Sequence, residues 1–168
     1  MALTQENRIL DREQIQQKIL RMAYEIYERN FEEKQLVLAG IYENGFALAQ
    51  LLAKELQQIS TLPVTLMQVT LNKEQLQQEI SLEPEPGSLA EATVVLVDDV
   101  LNTGKTLAYC VKAFLEKEPK KLEIATLVNR HHPQYPIAAT YTGYSLATTL
   151  HEHVRVVLAE DEIGAYLL

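Results

Sequence analysis

Two adjacent carboxylates and a short run of small polar residues form the part of the sequence best suited to chemistry. Asp98 and Asp99 are followed closely by Thr103-Gly104-Lys105-Thr106. Two like charges about 4 Å apart repel by roughly 4 kcal/mol at an effective dielectric of 20, so such a pair favours a polyol or a cation beside it. Carboxylates only accept hydrogen bonds, and they suit the two hydroxyls of a ribose, directly or through Mg²⁺ and its waters.

The residues after the acidic pair are suited to binding an anion. If residues 103–106 open a helix, their backbone N–H groups and hydroxyls face a negative ligand. Gly104 lets the backbone approach that ligand closely. Each such bond to a charged phosphate contributes about 1.5–3 kcal/mol, so a few together hold a phosphomonoester at micromolar levels. With the intervening Val100, Leu101 and Asn102, the segment predicts a ribose 5-phosphate pocket.

A nucleoside-triphosphate P-loop is the competing interpretation, because Gly104-Lys105-Thr106 matches the end of that motif. The motif requires a glycine five residues before its final glycine, and Asp99 stands there. A carboxylate at that position repels the phosphates that such a loop wraps. A purely structural interpretation remains, in which the acidic pair ends a strand and Thr103 caps a helix.

The surrounding elements predict an α/β fold with a central, mostly parallel sheet flanked by helices, because strands separated by helices need parallel crossovers. The strand at 94–97 is apolar on both faces, which favours a central position. In such sheets ligands bind at the carboxyl ends of the strands, where the acidic pair lies. Predicted helices cover 11–30, 46–56 and 107–115, and predicted strands cover 35–40, 64–71, 94–97, 122–128, 139–141 and 154–158.

One segment has a different composition. Residues 72–92 are rich in Gln, Glu, Lys and Pro, with Pro84, Pro86 and Gly87 close together. A stretch of this length with few apolar residues inside a compact domain is usually a lid, a binding loop or a disordered segment. The chain length predicts a single domain over residues 1–168.

The overall charge disfavours general nucleic-acid binding. The chain carries 15 Lys and Arg against 23 Asp and Glu, a formal net charge of −8, whereas proteins that bind by phosphate attraction are usually basic. No segment approaches the ~18 apolar residues of a membrane span, and no leader is visible, so we expect a cytoplasmic protein without a membrane partner. The single cysteine, Cys110, provides no disulfide framework and is expected to pack in the core.

Residues 94–106 resemble the phosphoribosyl pyrophosphate (PRPP) signature of type I phosphoribosyltransferases. Within that superfamily, Asp98-Asp99-Val100-Leu101-Asn102-Thr103-Gly104-Lys105-Thr106 is similar to Asp-Asp-Val-Leu-Tyr-Thr-Gly-Arg-Thr of the pyrimidine operon attenuator and uracil phosphoribosyltransferase family. Later, Leu127-Val128-Asn129-Arg130-His131-His132 resembles its Leu-Val-Asp-Arg-Gly-His, and Tyr141-Thr142-Gly143 its Tyr-Val-Gly. The likeness extends from about Ile9 onward.

The resemblance implies a type I phosphoribosyltransferase fold and transfer of ribose 5-phosphate from PRPP to N1 of uracil, with release of pyrophosphate and with Mg²⁺ as cofactor. Asp98 and Asp99 would act in catalysis at the ribose hydroxyls and near the metal, through substrate or water. Residues 100–106 would bind PRPP, with the 5-phosphate at 103–106. A homodimer or tetramer is also implied.

The family pattern further implies two regions that enclose the substrate. Residues 72–92 would be a mobile flap, in which Lys73 supplies a cation. Residues 129–150 would form a small hood over the base, where Arg130 takes part in catalysis and lies beside the base with His131 and His132.

The pyrophosphate loop departs from the family pattern. The family shows Gly-Ile-Lys-Thr-Arg-Gly, whereas this chain has Gly40-Ile41-Tyr42-Glu43-Asn44-Gly45. Tyr42 and Asn44 replace two cations, and Glu43 adds a negative charge beside an anionic leaving group. Backbone N–H groups remain available to the anion, but the loss of two charge-assisted contacts predicts weaker PRPP binding.

Two functions of different classes remain open. The first is an enzyme that transfers phosphoribose from PRPP to a nucleobase, with uracil favoured and a purine base second. The second is an RNA-binding attenuation regulator, or a sensor of PRPP or a nucleoside monophosphate, with little or no catalysis. The acidic charge balance disfavours the RNA partner.

His151 and His153 flank Glu152 and would share one face of an extended segment, which is one possible metal pair. No third ligand lies at a suitable spacing. The sequence therefore favours a solvated strand end over a metal site.

Overall fold

The computed structural model describes residues 2–72 and 80–168, which contain three helices and nine strands. In chain order these are β1 (Arg8–Leu10), α1 (Arg12–Asn30), β2 (Leu36–Ile41), α2 (Asn44–Ile59), β3 (Val64–Leu71), β4 (Ile80–Glu83), β5 (Thr93–Leu101), α3 (Lys105–Leu115), β6 (Lys121–Asn129), β7 (Tyr141–Ser145), β8 (Val154–Leu158) and β9 (Ile163–Leu167).

The main sheet of the described residues has six strands in the order β4-β3-β2-β5-β6-β7. Its neighbouring strands pair in parallel, except for the antiparallel pair of β3 and β4. Strand β5 lies between β2 and β6, and residues 93–97 are buried. The prediction of an α/β fold with a central, mostly parallel sheet is therefore confirmed.

Helices cover both faces of this sheet. Helices α1 and α2 bury their apolar faces in one core cluster, and α3 buries Leu107, Cys110 and Phe114 in the other. Helix α1 begins at a capping box, in which the Gln14 backbone N–H donates to Asp11 Oδ1 and the Asp11 N–H donates to Gln14 Oε1. The predicted start and end of α1 are thus confirmed to within a residue or two.

Within the segment 72–92, the described residues 80–92 contain a strand and buried side chains. Strand β4 lies within it and pairs with β3, and Leu82, Leu89 and Ala92 are buried against the core. Alternation in Ile80-Ser81-Leu82-Glu83 allows one side of an edge strand to pack inward. Lys73, the cation expected in the flap, lies outside the described residues.

A second, three-stranded sheet packs on the α1 and α2 side, in the order β1-β9-β8. Its pairs are antiparallel, and it joins the two ends of the chain, with Arg8 opposite Tyr166. The range 129–150, predicted to form the hood, holds the end of β6, all of β7 and the loop after it. Strands β1 and β9 were not predicted.

Among the helices of the described residues, none combines the length and hydropathy needed to cross a membrane.

Candidate active site

A cavity of 340 Å³ opens where strands β2 and β5 end. Two segments line it, residues 41–44 after β2 and residues 98–107 from the end of β5 into α3. Parallel neighbours bring their carboxyl ends to the same edge of a sheet, which explains why these distant segments meet. The acidic pair and the predicted phosphate loop therefore share one cavity.

The acidic pair lies within strand β5, which extends to Leu101, farther than the predicted 94–97. Both carboxylates are half-buried and hold backbone groups of the following residues. The Asp99 N–H donates to Asp98 Oδ1 at 2.9 Å, and the Val100 N–H donates to Asp99 Oδ1 at 2.9 Å. These bonds fix the direction of both carboxylates at the cavity wall.

Residues 103–106 form the turn into α3. Gly104 precedes the helix with φ of 85°, a left-handed conformation that glycine adopts without strain. Gly104 itself offers no side-chain cap, and the Lys105 N–H donates to Thr103 Oγ1 at 3.3 Å. The next backbone N–H groups and the positive end of the helix dipole lie at the cavity, as an anion site requires. Lys105 is exposed at the same place, and Thr103 and Thr106 are half-buried.

The predicted phosphate loop, residues 103–106, contacts the segment after β6. The backbone N–H groups of Gln134 and Tyr135 donate to the Thr103 carbonyl at 2.9 Å and 3.1 Å. A Cβ atom on Gly104 would lie 3.1 Å from Ile137 Cβ, so the loop has little room to move toward that segment. These contacts hold the loop in its shape without using the N–H groups that open α3.

The predicted pyrophosphate loop begins at the end of β2. The peptide bond between Tyr42 and Glu43 is cis, and the side chain of Tyr42 is 52% exposed. Gly45 follows where a Cβ atom would lie 2.6 Å from the Val97 carbonyl oxygen and 3.3 Å from Asp98 Oδ1. Only a residue without a side chain lets this loop approach the acidic pair so closely.

Asn44 connects three parts of the site. Its Nδ2 donates to Asp99 Oδ2 at 3.1 Å and to the Val156 carbonyl at 2.9 Å. It thereby joins the pyrophosphate loop to the acidic pair and to strand β8 of the small sheet. Sequence reasoning treated Asn44 only as a lost cation, and no local pattern indicates its contact with a strand 112 residues away.

The charges around the cavity are unevenly distributed. Of the described lining residues, Glu43, Asp98 and Asp99 carry carboxylates, and Lys105 carries the one ammonium group. The cation lies at the N-terminus of α3, whereas Glu43 lies on the opposite segment. One end of the cavity is therefore suited to an anion, and the other is acidic.

Arg130, predicted to lie in the hood beside the base, does not line this cavity. Its side chain is 7% exposed and its guanidinium is hydrogen-bonded within the protein. The partners are Asn102 Oδ1, Thr148 Oγ1 and the carbonyl oxygens of Thr149 and Glu152.

The two histidines beside Arg130 also lie outside the cavity lining. His131 is exposed with φ of 56°, and the Nε2 atom of His132 lies 2.5 Å from the Thr148 carbonyl oxygen. His132 therefore contacts the loop after β7 rather than a ligand in this cavity.

The acidic pair fits a magnesium ion that is bound mainly through substrate oxygens and water. Within residues 2–72 and 80–168, no three His, Cys, Asp or Glu side chains are grouped so as to hold a metal alone. Two carboxylates with orientations fixed by backbone N–H groups suit Mg²⁺, which keeps several waters and takes one or two carboxylates. Among the same described residues, His151, Glu152 and His153 form no such group.

Cys110 is a core residue of α3 and has no exposed surface. Burial, and to a lesser degree the charge of Asp98, raises the pKa of its thiol to about 12. The thiol is protonated near neutral pH and is not a nucleophile, as its position on the apolar face of the helix predicts.

Comparison with known proteins agrees with this architecture. A family model described as a phosphoribosyl transferase domain matches residues 5–161. Proteins named Bifunctional protein PyrR are similar in sequence. The one from Deinococcus radiodurans is 35% identical over 163 residues, covering 92% of this chain and 88% of the relative. The one from Bacillus velezensis is 34% identical over 168 residues, covering 94% and 93%.

Solved structures share the fold. The hypoxanthine phosphoribosyltransferase of Trypanosoma cruzi has a TM-score of 0.79 and 19% identity, covering 96% of this chain and 95% of that one. A hypoxanthine-guanine phosphoribosyltransferase from Bacillus anthracis has a TM-score of 0.70 and 20% identity, covering 89% and 86%. At these identities the likeness concerns the fold.

Proposed function

The chain belongs to the phosphoribosyl transferase family, whose domain model spans residues 5–161, and from this membership we propose that it transfers ribose 5-phosphate from PRPP to a nucleobase. Uracil is the favoured acceptor and a purine base the second. The observation that supports this proposal is the single cavity that joins the acidic pair to the N-terminus of α3. Its two chemistries match the two ends of a ribose 5-phosphate.

The residues have distinct parts in the proposed reaction. The N–H groups and hydroxyls at 103–106, with Lys105, hold the 5-phosphate. The carboxylates of Asp98 and Asp99 accept hydrogen bonds from the ribose hydroxyls and stabilise the positive charge that develops on the ribose as pyrophosphate leaves. Such a reaction needs no covalent nucleophile, since the protein mainly orients the two reactants and stabilises the separating charges.

Magnesium belongs to the proposal as a cofactor that neutralises the leaving pyrophosphate. Asp98 and Asp99 are the residues placed to hold it, through water or through substrate. Tyr42, Glu43, Asn44 and Gly45 are proposed to border the pyrophosphate, and Lys73, which lies outside the described residues, to supply a cation. The backbone of this loop then carries the contacts that cationic side chains do not supply.

The test is pyrophosphate release on mixing the protein with PRPP, Mg²⁺ and one base at a time, with uracil, hypoxanthine and guanine as separate arms. Release is expected with uracil or with one purine. In the variant Asp98→Asn/Asp99→Asn we expect a loss of roughly 100-fold or more, because oriented charges at a reacting centre contribute on that scale. Glu116→Gln, an exposed change at the far end of α3, serves as the control.

A regulator or nucleotide sensor is the second candidate, and two observations favour it. The similar relatives are named bifunctional, and Glu43 places an acid where an enzyme of this kind binds an anion. Absence of pyrophosphate release with all three bases, together with tight, salt-dependent RNA binding, would replace the enzyme by an RNA-binding regulator. Tight nucleoside monophosphate binding without release would identify a sensor.

A self-associated state is part of the same proposal. Helix α1 exposes Leu20 and Tyr24, and its C-cap residue Phe31 is also exposed, with exposed fractions of 39%, 53% and 59%. Aromatic residues of this kind are enriched where proteins meet. Sedimentation should therefore give a dimer or tetramer, and Tyr24→Glu should shift the distribution toward the monomer.

A further inference from the structure

Arg130 is a buried cation next to the phosphate loop, and its guanidinium binds on two sides. On one side it donates to Asn102 Oδ1 at 2.7 Å, one residue before Thr103. On the other side it donates to the loop after β7, at Thr148 Oγ1 (3.1 Å) and the Thr149 carbonyl (3.4 Å), and also to the Glu152 carbonyl. The planar fork of an arginine suits such a set of oxygens.

The partners of this guanidinium are neutral. Among the ion pairs formed by residues 2–72 and 80–168, none includes Arg130. The carboxylate of Glu152 accepts instead from the Thr149 N–H at 2.6 Å, and that bond, with a smaller effect of the Arg130 charge, lowers the pKa of Glu152. The charge of Arg130 is therefore not cancelled by a direct carboxylate contact, and it remains available to a nearby anion.

Burying a cation is unfavourable unless its bonds offset the desolvation. Here the bonds of Arg130 link Asn102, which precedes the proposed anion site, to the segment 148–152 after β7. A displacement of about 1 Å at a binding loop can weaken its function 100-fold, so a rigid support has a measurable effect.

We propose that Arg130 is a positioning residue, which fixes Asn102 and hence the phosphate loop against the segment 148–152, and whose buried charge favours the anion held at 103–106. This inference rests on the proposed function, since it takes residues 103–106 as the phosphate site. Arg130 acts through Asn102 and not by contact with the substrate.

The main test is Asn102→Ala, which removes one of the contacts and leaves Arg130 with its bonds to the loop after β7. We expect the KM for PRPP to rise about tenfold with kcat changed less than twofold, and the midpoint of thermal unfolding to change little. The Kd for inorganic phosphate, measured by calorimetry, should rise in parallel. Asn7→Ala, which removes surface hydrogen bonds near the N-terminus, is the matched control.

Two arginine variants separate charge from geometry. Arg130→Lys keeps the charge but loses the fork, and should bind phosphate more weakly than the wild type and more tightly than Arg130→Gln. Arg12→Gln removes a comparable bond, from Arg12 to the Glu160 carbonyl, away from the cavity, and should leave phosphate binding unchanged.

The outcomes distinguish this inference from the proposed function. An unchanged phosphate Kd and PRPP KM in Asn102→Ala, or a lower thermal midpoint as the sole change in the folded Arg130 variants, would overturn the positioning role while leaving the enzyme assignment intact. If the wild-type protein binds neither phosphate nor PRPP, the positioning role and the proposed function are both overturned.

Discussion

The two ends of the cavity are built differently. At the N-terminus of α3, backbone N–H groups, hydroxyls and Lys105 line the cavity, and the Gln134 and Tyr135 N–H groups hold the Thr103 carbonyl. At the opposite end, residues 42–44 offer a phenol, a carboxylate and an amide whose Nδ2 is already bound to Asp99 and Val156. The first end is complementary to an anion, and the second is not.

This difference bears on what the site binds well. In the proposed site a phosphomonoester needs only the α3 end, whereas the pyrophosphate of PRPP would lie near Glu43. An anion at that end must bind through backbone N–H groups or bring its own cation, because a nearby carboxylate repels it. We therefore expect the affinity for PRPP to depend on Mg²⁺ more steeply than the affinity for a nucleoside monophosphate does.

The largest effect is expected at the α3 end, from Gly104→Ala. The left-handed conformation at φ of 85° disfavours a side chain by about 1–2 kcal/mol, and the new Cβ would lie 3.1 Å from Ile137 Cβ. If the turn shifts and two bonds to phosphate are lost, the Kd for a nucleoside monophosphate should rise roughly 100-fold.

Calorimetry with the monophosphate and denaturant unfolding measure the two consequences separately. The control is Gly87→Ala, since a Cβ there meets no atom within 4 Å. Retention of wild-type phosphate affinity in Gly104→Ala would show that the turn is not the anion site.

A smaller effect of opposite sign is expected at the acidic end, from Glu43→Lys. Replacing a repulsive charge by an attractive one should lower the Kd for PRPP about tenfold and leave the Kd for a nucleoside monophosphate unchanged. Glu43→Gln, which only removes the repulsion, should give roughly a threefold decrease, and both effects should weaken with added salt.

Glu116→Lys provides the matched control, because it makes the same change of net charge at the C-terminal end of α3. Equal gains in PRPP affinity for Glu43→Lys and Glu116→Lys would mean that net charge, and not the pyrophosphate loop, sets the affinity. A gain for both ligands in Glu43→Lys would remove the distinction between the two ends.

The contrast between the two ends also describes what could be predicted from sequence. The acidic pair, the turn at 103–106 and α3 are contiguous in the chain, so their pattern carried the prediction of the site. The roles of Asn44 and Arg130 depend on partners far away in sequence, such as Val156 and Glu152, and a local pattern has no access to such contacts. For this reason, the sequence predicted a cation beside the substrate for Arg130 and a lost cation for Asn44, and it gave no sign that both side chains bridge distant segments.

The elements of the fold also differ in whether local sequence was enough to predict them. Long elements with a clear apolar period, such as α1 and β3, were predicted with nearly correct bounds. The small sheet was not, because β1 has three residues and exists only by pairing with β9 at the other end of the chain. A strand of that length has too little pattern of its own to be distinguished from a loop.

An effect of intermediate size is expected from Asn44→Ala, because Asn44 joins the loop at 42–44 to the carboxylate of Asp99. Loss of its bonds to Asp99 and to the Val156 carbonyl frees the loop, and the KM for PRPP should rise about threefold to fivefold. Monophosphate affinity should stay within twofold, since the α3 end is untouched. Steady-state kinetics and calorimetry measure the two quantities, and an equal loss for both ligands would contradict the independence of the two ends.

The smallest effect on binding is expected from Cys110→Ala, within α3 but behind its first turn. Both Kd values should stay within twofold, because the proposed anion site uses the N-terminus of the helix and not its buried face.

The stability of Cys110→Ala should differ from that of the wild type at alkaline pH. Burial, and then the charge of Asp98, raises the pKa of the folded thiol from 9.0 to about 12, so above pH 9 the unfolded chain releases a proton that the folded chain keeps. The free energy of unfolding therefore falls between pH 9 and 12, by about 1 kcal/mol per pH unit from this group. Denaturant unfolding at a series of pH values should show a shallower alkaline decline in Cys110→Ala than in the wild type. Tyr141 and Tyr166, whose pKa values are also raised by burial, contribute equally to both proteins. Equal declines of the unfolding free energy with pH in the two proteins would show that the surroundings do not keep the thiol protonated. A large change in either Kd would place the interior of α3 in the binding site.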